Sequence, residues 1–472
     1  MMTVTQWREQ QLTGWGLRNV SRCRVATPEH IEELPDILEQ ACLAGHTIAP
    51  RGAGCSYGDA SLNDGQIVLD LSHLNRIREW DPDSGQVTVE PGVTIDQLWR
   101  RTIGDGWWPF VVPGTSAVTI GGAASANAHG KNNWQIGCFG DFIESFDLLL
   151  PSGQTITCSR WDESDLFHAA IGGLGMLGIF TSLTLQLRRI YSGQLAEVQR
   201  AYHSLDALLD GLEEATYWAT DIVGWIDTSA SGTQLGRGLL KAGRDLFPNE
   251  DPHPERTLSV GGQYRRSLAR MLPGGLVPRL AKPMTTRAGV WAANRMQWLR
   301  GQGRKASARH YQTYVGANFP LDAIPNWRDT YRPGGLIQHQ SMVPAETAAS
   351  AFKEFLARSQ KAGIAPSFAV LKKHRPDNFL MSYLVDGYSL ALDYPVRRGE
   401  EQRLLRLLHE LNDVLADHGG RCYFVKDSVV TAEQVRRMYP AEKLAQFHAL
   451  KRQYDPMGLL STNLYRRALT ME

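Results

Sequence analysis

No apolar run in this 472-residue chain approaches the roughly 20 residues of a spanning helix, and the opening Met1–Glu9 has no apolar h-region. Neither a membrane anchor nor a secretory signal is therefore expected. Cysteine is sparse: Cys23, Cys42, Cys55, Cys138, Cys158 and Cys422 form no C-x-x-C pair. That scatter points away from a zinc site or a disulfide framework and towards thiols in a reducing cytoplasm. The thirteen histidines make no H-E-x-x-H pair, so no metal site is expected. The absence of a Gly-x-Ser-x-Gly elbow removes support for serine hydrolase chemistry. With 50 basic and 49 acidic residues the formal net charge is +1, which gives no global reason to expect nucleic acid.

One local absence stands out against that balance. Residues 256–321 contain no Asp or Glu, while arginines and lysines run from Arg256 to Arg309, with Leu268, Met271, Leu280, Trp291, Met296 and Leu299 interleaved. Such a segment suits either an anionic membrane surface or a solvated basic flap with a few packing residues. Pro273-Gly-Gly275, Pro278 and Pro283 predict a broken, mobile stretch in place of one long helix.

Short strands alternate with amphipathic helices through the rest, an α+β pattern. Helical spacing of Ile31, Leu34, Ile37, Leu38 and Ala41 predicts a helix over 29–45, ended by Gly45. His46–Pro50, Gln66–Leu71 and Gln86–Glu90 read as strands, and Thr94 as the N-cap of helix Ile95–Thr102. Phe146–Leu150 and Gln154–Thr157 form a hairpin around Pro151-Ser-Gly153. Further on, helix Leu205–Ala215, strand Ile222–Asp227, strands Ser382–Val385 and Ser389–Pro395, and helix Glu401–His418 are expected.

What is abundant is glycine in turns. Arg51-Gly-Ala-Gly-Cys-Ser-Tyr-Gly-Asp59, Pro113-Gly-Thr115, Thr119-Ile-Gly-Gly122 and His129-Gly-Lys-Asn132 lie between β-rich segments. Glycine lets backbone approach a ligand closely, and successive N–H groups in such turns form concave anion sites. Repetition of that device implies a long, bent ligand wrapped by several loops, as a flavin dinucleotide would be. Gly173-Leu-Gly175-Met-Leu-Gly178 matches G-x-G-x-x-G, but it follows a helix and leads into a strand, the inverse of a nicotinamide site. His129, in a polar turn, is as easily structural as functional. Lys426 alternates with Phe424 along an apparent strand, where a lysine ordinarily faces solvent.

In this order the segments resemble the vanillyl-alcohol-oxidase/p-cresol-methylhydroxylase superfamily of FAD enzymes, most closely those members that oxidise a polyprenyl-phosphoryl-ribose. The likeness spans nearly the whole chain. It extends through Gly172–Gly175, Gln338-His-Gln340, Leu392-Asp-Tyr-Pro395 and Tyr423-Phe-Val-Lys-Asp-Ser428. It implies an FAD-binding domain in two parts, 1–195 and 416–472, split by an antiparallel-sheet substrate domain over 196–415 that carries the flap at 256–309. The implied cofactor contacts are Arg51, Gly52, Ala53, Gly54, Cys55, Ser56, Tyr57, Gly58, Asp59, Gly114, Thr119, Ile120, Gly121, Gly122, Ala126, Asn127, Ala128, His129, Ile179 and Tyr423. Many members tether FAD through a histidine in the first glycine loop. Here Cys55 and Ser56 stand there, which implies non-covalent FAD, with a cysteinyl link through Cys55 as the alternative.

The implied reaction is oxidation of the ribosyl C2 hydroxyl to the 2-keto sugar, the first half of an epimerisation to an arabinose donor for cell-envelope polysaccharide. A partner NAD(P)H-dependent short-chain reductase would complete it, with quinone or oxygen reoxidising the flavin. Tyr57, His129 and Lys426 are the implied catalytic candidates, Lys426 as a cation beside the reduced flavin. Lys131, Gln338, Gln340, Lys372, Ala391 and Lys426 fall at substrate positions; mycobacterial members carry a cysteine where this chain has Ala391. A cytoplasmic or peripheral membrane location follows. The competing readings are a soluble alditol or aldonolactone oxidase using oxygen, and a flavin-binding scaffold without chemistry.

Overall fold

A computed structural model describes residues 7–264, 276–303 and 308–470. Its architecture is α+β and is built on two main bodies of sheet. In the first body, Arg8–Thr13, Val20–Ala26, Ile67–Asp70 and Ile48–Arg51 form a four-stranded sheet whose last three strands run parallel. The predicted helix covers it as a short 3₁₀ turn and Leu34–Leu43, burying Leu34, Ile37, Leu38 and Ala41. Beside it lies a five-stranded antiparallel sheet in the order Ile77–Asp81, Gln86–Val89, Ile179–Gln186, Ile143–Leu149, Thr155–Ser159. The last two strands are the expected hairpin, turned at Gly153 with φ +85°. Thr94 caps Ile95–Thr102 as expected, its side chain accepting the Gln97 N–H in a capping box.

The second body is one eight-stranded antiparallel sheet. Its order is His310–Thr313, Gln194–Tyr202, Gly238–Asp245, Asp221–Ile226, Phe368–His374, Gly387–Pro395, Leu336–Pro344, Arg421–Cys422. Helices Leu205–Ala215, Ala345–Lys361 and Glu401–Asp417 present leucine and phenylalanine stripes to the core. The C-terminal segment returns to the first body. Ile48 donates to Leu459 O (2.7 Å), and Ser461 donates to Ile48 O (2.9 Å).

Two expected strands are not formed. Residues 382–385 are irregular, because side chains take their backbone groups. Ser382 Oγ accepts from Leu384 N–H, and Arg421 donates to the carbonyls of Ser382 and Leu384. Strand Gly387–Pro395 instead pairs on both sides, with Leu336–Pro344 and Phe368–His374. The second correction concerns Tyr423–Ser428. The strand stops at Cys422 and a turn follows, closed by Lys426 N–H to Tyr423 O at 2.9 Å.

Within the basic span the described part is helical, as Leu276–Ala281, a 3₁₀ turn at Lys282–Thr285, and Arg287–Gly301. Trp298 is buried against Trp225 and Leu239 of the large sheet. Pro273-Gly-Gly275, Leu268, Met271 and the neighbouring arginines, with Arg304 and Lys305, lie outside the described residues. No helix of the described residues is long and apolar enough to cross a membrane.

Candidate active site

Between the two sheet bodies lies a cavity of about 550 Å³. One end is made of loops. Residues 51–57 line it, followed by Pro113–Thr115, Thr119, Gly121, Gly122, Ala126, Ala128, His129, and Leu174, Gly175 and Ile179. Among the described residues, none of the backbone N–H groups of residues 52–56 has a protein acceptor. Gly54 turns the loop with φ +67°. The result is a run of unpaired donors around a concavity, the arrangement that holds a pyrophosphate. Arg51 fixes the loop from below, its guanidinium donating to Thr13 O (3.0 Å) and Ser61 Oγ (3.1 Å). A Cβ on Gly114 would meet no protein atom within 4 Å, so the space over it belongs to the cavity. These features fit a dinucleotide.

The other end is a patch of sheet. Three strands align Phe368, Asp393 and Gln338 in one row and Val370, Ala391 and Gln340 in the next, with Lys372 beside Ser389 in a third. All eight side chains line the cavity, because residues two apart on a strand share a face. Lys426 and Tyr423 enter from the turn after Cys422, and Lys131 from the His129 loop.

Burial here moves three lysines and an aspartate. Lys372 is pulled down to about 7 by desolvation and by Lys131 and Lys426. Lys426 is pulled down to about 8 by desolvation, opposed by Asp393 and Cys55, and its ammonium stands 4.0 Å from the centre of the Tyr57 ring. Lys131 is lowered by burial and donates to Ala317 O. Asp393 is the sole carboxylate among the described residues lining the cavity. Desolvation raises it to about 6 against the Gln338 amide, which donates to its Oδ1. Neither Lys372 nor Lys426 has an ion-pair partner among the described residues.

The two other catalytic candidates are less free. Burial, with Asp393 next, pushes the Tyr57 phenol well above its usual value, so it stays protonated. His129 is held neutral by burial and the nearby Lys372, with Nδ1 3.3 Å from Gly130 O and Nε2 2.8 Å from Gln340 Nε2. If Nδ1 donates to the carbonyl, the Nε2 lone pair is spent on the Gln340 amide.

Four residues expected at the cofactor do not line the cavity. Ile120 is buried in the core. The side chain of Asn127 bridges Asp377 (2.8 Å) and Gly140 N–H (3.0 Å). Gly58 packs so tightly against the Lys426 turn that a Cβ would sit 1.9 Å from Asp427 O. Asp59 pairs with Arg467 (2.8 Å), which also reaches Asp427 (3.1 Å). Gly58 and Asp59 thus brace the turn that aims Lys426. Asp393 and Ser389 are site residues that sequence reasoning did not single out, although Asp393 stood inside the Leu392–Pro395 element.

Residues 24–159 match a family model described as an FAD binding domain, and the unpaired loop donors lie inside that stretch. This chain is an FAD-dependent oxidoreductase with a fold of the vanillyl-alcohol-oxidase type. Among its relatives is the decaprenylphosphoryl-beta-D-ribose oxidase of Mycolicibacterium smegmatis, 29% identical over 97% of each chain. The L-gulono-1,4-lactone dehydrogenase of Mycobacterium tuberculosis is more distant, at 22% identity over 94% of this chain and 95% of its own.

Proposed function

We propose that this chain oxidises the C2 hydroxyl of a polyprenyl-phosphoryl-β-D-ribose to the 2-keto sugar. The observation that carries this reading is the pair of unpaired lysines, Lys372 and Lys426, at the sheet end of a cavity whose loop end fits FAD. Free alditols and lactones, the alternative substrates, give Lys372 no anion, whereas a sugar phosphate does. The near full-length similarity to a decaprenylphosphoryl-ribose oxidase supports the same choice.

FAD, when bound, supplies the hydride acceptor. Residues 51–57, Gly114, Thr119, Gly121, Gly122 and Ile179 hold it non-covalently. Lys372, assisted by Lys131, binds the substrate phosphate. Lys426 remains protonated and stabilises the negative charge that develops during reduction, most effectively where water is excluded. Asp393 Oδ2, which has no partner among the described residues, takes the hydroxyl proton. Tyr57 and His129 position Lys426 and Gln340 and do not titrate. Apart from Lys131 and the sheet strand Arg421–Cys422, the residues before about 195 and after about 415 serve the cofactor, and the intervening sheet serves the substrate.

The substrate's lipid reaches the cavity along the basic helix. Arg287–Gly301 exposes Trp291, Met296 and Leu299 beside Arg295 and Arg300, while Gln297 of the same helix lines the cavity. That face docks on an anionic membrane. A separate NAD(P)H-dependent short-chain reductase completes the epimerisation, and quinone or oxygen reoxidises the flavin.

Anaerobic mixing with a short-chain prenyl-phosphoryl-ribose should bleach the flavin band and yield the 2-keto product by mass. A flavin that resists this ester but is reduced by a free alditol or lactone would overturn the substrate. The pH profile of kcat/KM carries its own signature. Asp393 must be ionised, so the rate rises through about pH 6; Lys372 must be protonated to hold the phosphate and Lys426 to stabilise the developing charge, so it falls beyond about pH 7 and again beyond about pH 8. A rate that keeps climbing through pH 8 would make neutral Lys426 the base.

A further inference from the structure

Strand Gly387–Pro395 carries a polar group that no step above uses. Ser389 is 1% exposed, lines the cavity, and stands opposite Lys372 in the sheet register. Behind it runs a hydrogen-bond chain in which every proton can be placed. The backbone N–H of Arg375, which can only donate, lies 3.3 Å from Asn133 Oδ1, so that atom is an acceptor. The same oxygen is 2.8 Å from His374 Nδ1, so Nδ1 carries a proton. Burial and the neighbouring Lys372 push His374 well below its usual value, and the ring is neutral. A neutral imidazole protonated at Nδ1 offers only a lone pair at Nε2. Ser389 Oγ, 2.7 Å from that nitrogen, must therefore donate to it.

A hydroxyl has one proton and two lone pairs. With its proton spent on His374, Ser389 has only acceptor capacity left for the cavity, and no other described residue bonds its oxygen. We infer that Ser389 is a specificity contact, a fixed acceptor for the 2- or the 3-hydroxyl of the bound sugar beside the phosphate held by Lys372. His374 and Asn133 are its positioning residues. This deepens the proposed sugar-phosphate oxidation and rests on it. The chain Ser389–His374–Asn133 has the connectivity of a nucleophilic triad, but its setting is wrong for one. Both edges of this strand are paired, so the neighbouring N–H groups are committed to sheet ladders, not to an oxyanion. A fixed acceptor instead discriminates. It welcomes a hydroxyl and repels a carbonyl or ether oxygen at the same place, and it is left unsatisfied by a deoxy sugar.

The test is calorimetric titration of the reduced holoenzyme, which cannot turn over, with a short-chain prenyl-phosphoryl-ribose and its 2-deoxy and 3-deoxy counterparts. Ser389→Ala should weaken the parent ester about tenfold, the scale of one hydrogen bond. One deoxy ester should bind wild type and S389A alike, and Ser389→Thr should restore the parent. Equal weakening of all three esters, or of none, overturns the inference and leaves the proposed reaction standing. A wild-type holoenzyme that binds none of the esters overturns both. A second readout is independent of ligand. Nitrogen-15 spectra of labelled histidine should show His374 neutral and protonated at Nδ1 in wild type and in S389A. A charged ring, or a proton on Nε2, would overturn the fixed-acceptor assignment.

Discussion

The two ends of the cavity are built on opposite principles. At the loop end, residues 52–56 offer backbone N–H groups and Gly114 offers empty space, so recognition depends on what the side chains leave out. At the sheet end, eight side chains on three adjacent strands do the work, and the lysines and Asp393 are held away from their usual ionisation. A loop built from backbone is indifferent to pH and intolerant of added atoms. A patch built from buried charge tolerates added atoms and answers to pH and to the charge of its ligand. Substitutions at the two ends should therefore fail in different ways.

The largest effect should come from Lys426→Ala. Removing a preorganised charge from a dry site costs about 10²–10³ in kcat, and the protein should still purify with flavin bound, because Lys426 belongs to the sheet end. Stopped-flow flavin reduction reads the first number and the visible spectrum the second. Loss of flavin with intact kcat in the remaining holoenzyme would erase the distinction between the ends. Gly54→Ala is the counterpart. Its φ of +67° disfavours any side chain, and a Cβ would lie 2.1 Å from Arg51 Nη2. A strained residue of this kind costs of order 1–3 kcal/mol, so flavin affinity should fall about tenfold or more. Once saturated with FAD, the variant should bind ester normally. Ester affinity that falls with FAD saturated would mean the loop also shapes the sheet end.

The same contrast explains what could be read from the sequence. The loop end was legible because small residues in turns leave a local signature: Arg51–Asp59 and Thr119–Gly122 announce close backbone approach wherever the chain goes afterwards. Helices Ile95–Thr102 and Leu205–Ala215 were legible for the same reason, since an N-cap and an apolar stripe are local. The sheet end depends on register between strands far apart in the chain. Nothing near Ser389 in the sequence says that it meets Lys372 on one side and His374 behind. Lys426 is the clearest case. Alternation with Phe424 suggested a strand and a solvent-facing lysine, but the strand ends at Cys422, and the turn that follows is braced by Gly58 and by Arg467 from the C-terminus. Contacts across some four hundred residues aim that ammonium inward, and no local pattern carries them.

A smaller effect distinguishes the ends through stability. Lys372 is lowered from its usual 10.5 to about 7, so the folded protein bears the cost of a buried ammonium at pH 7 and below. As pH rises from about 7 towards 10.5 the folded state sheds that proton before the unfolded chain does, and the cost is relieved. Lys372→Met should therefore raise the Tm of the protein by about 2 °C or more near pH 7, and the gain should shrink at pH 10. The same variant should lose affinity for the phosphate ester. Stability gained where binding is lost is the expected trade at a site strained for its ligand. A variant less stable than wild type at pH 7 would show that Lys372 is already satisfied.

The smallest effect belongs to the thiol at the loop end. Cys55 lines the cavity in the first glycine loop, yet desolvation pushes its thiol up to about 12, despite the opposing Lys426 and Arg328. At pH 7 the thiolate fraction is then on the order of 10⁻⁵, too small for a nucleophile. Cys55→Ser should leave flavin content, ester affinity and kcat within twofold of wild type, and acid precipitation of either protein should release all of the flavin into the supernatant. Flavin that stays with the wild-type pellet but not with that of the variant would show a cysteinyl link. It would also mean that the loop end supplies chemistry as well as shape, and the contrast between the two ends would have to be redrawn around Cys55.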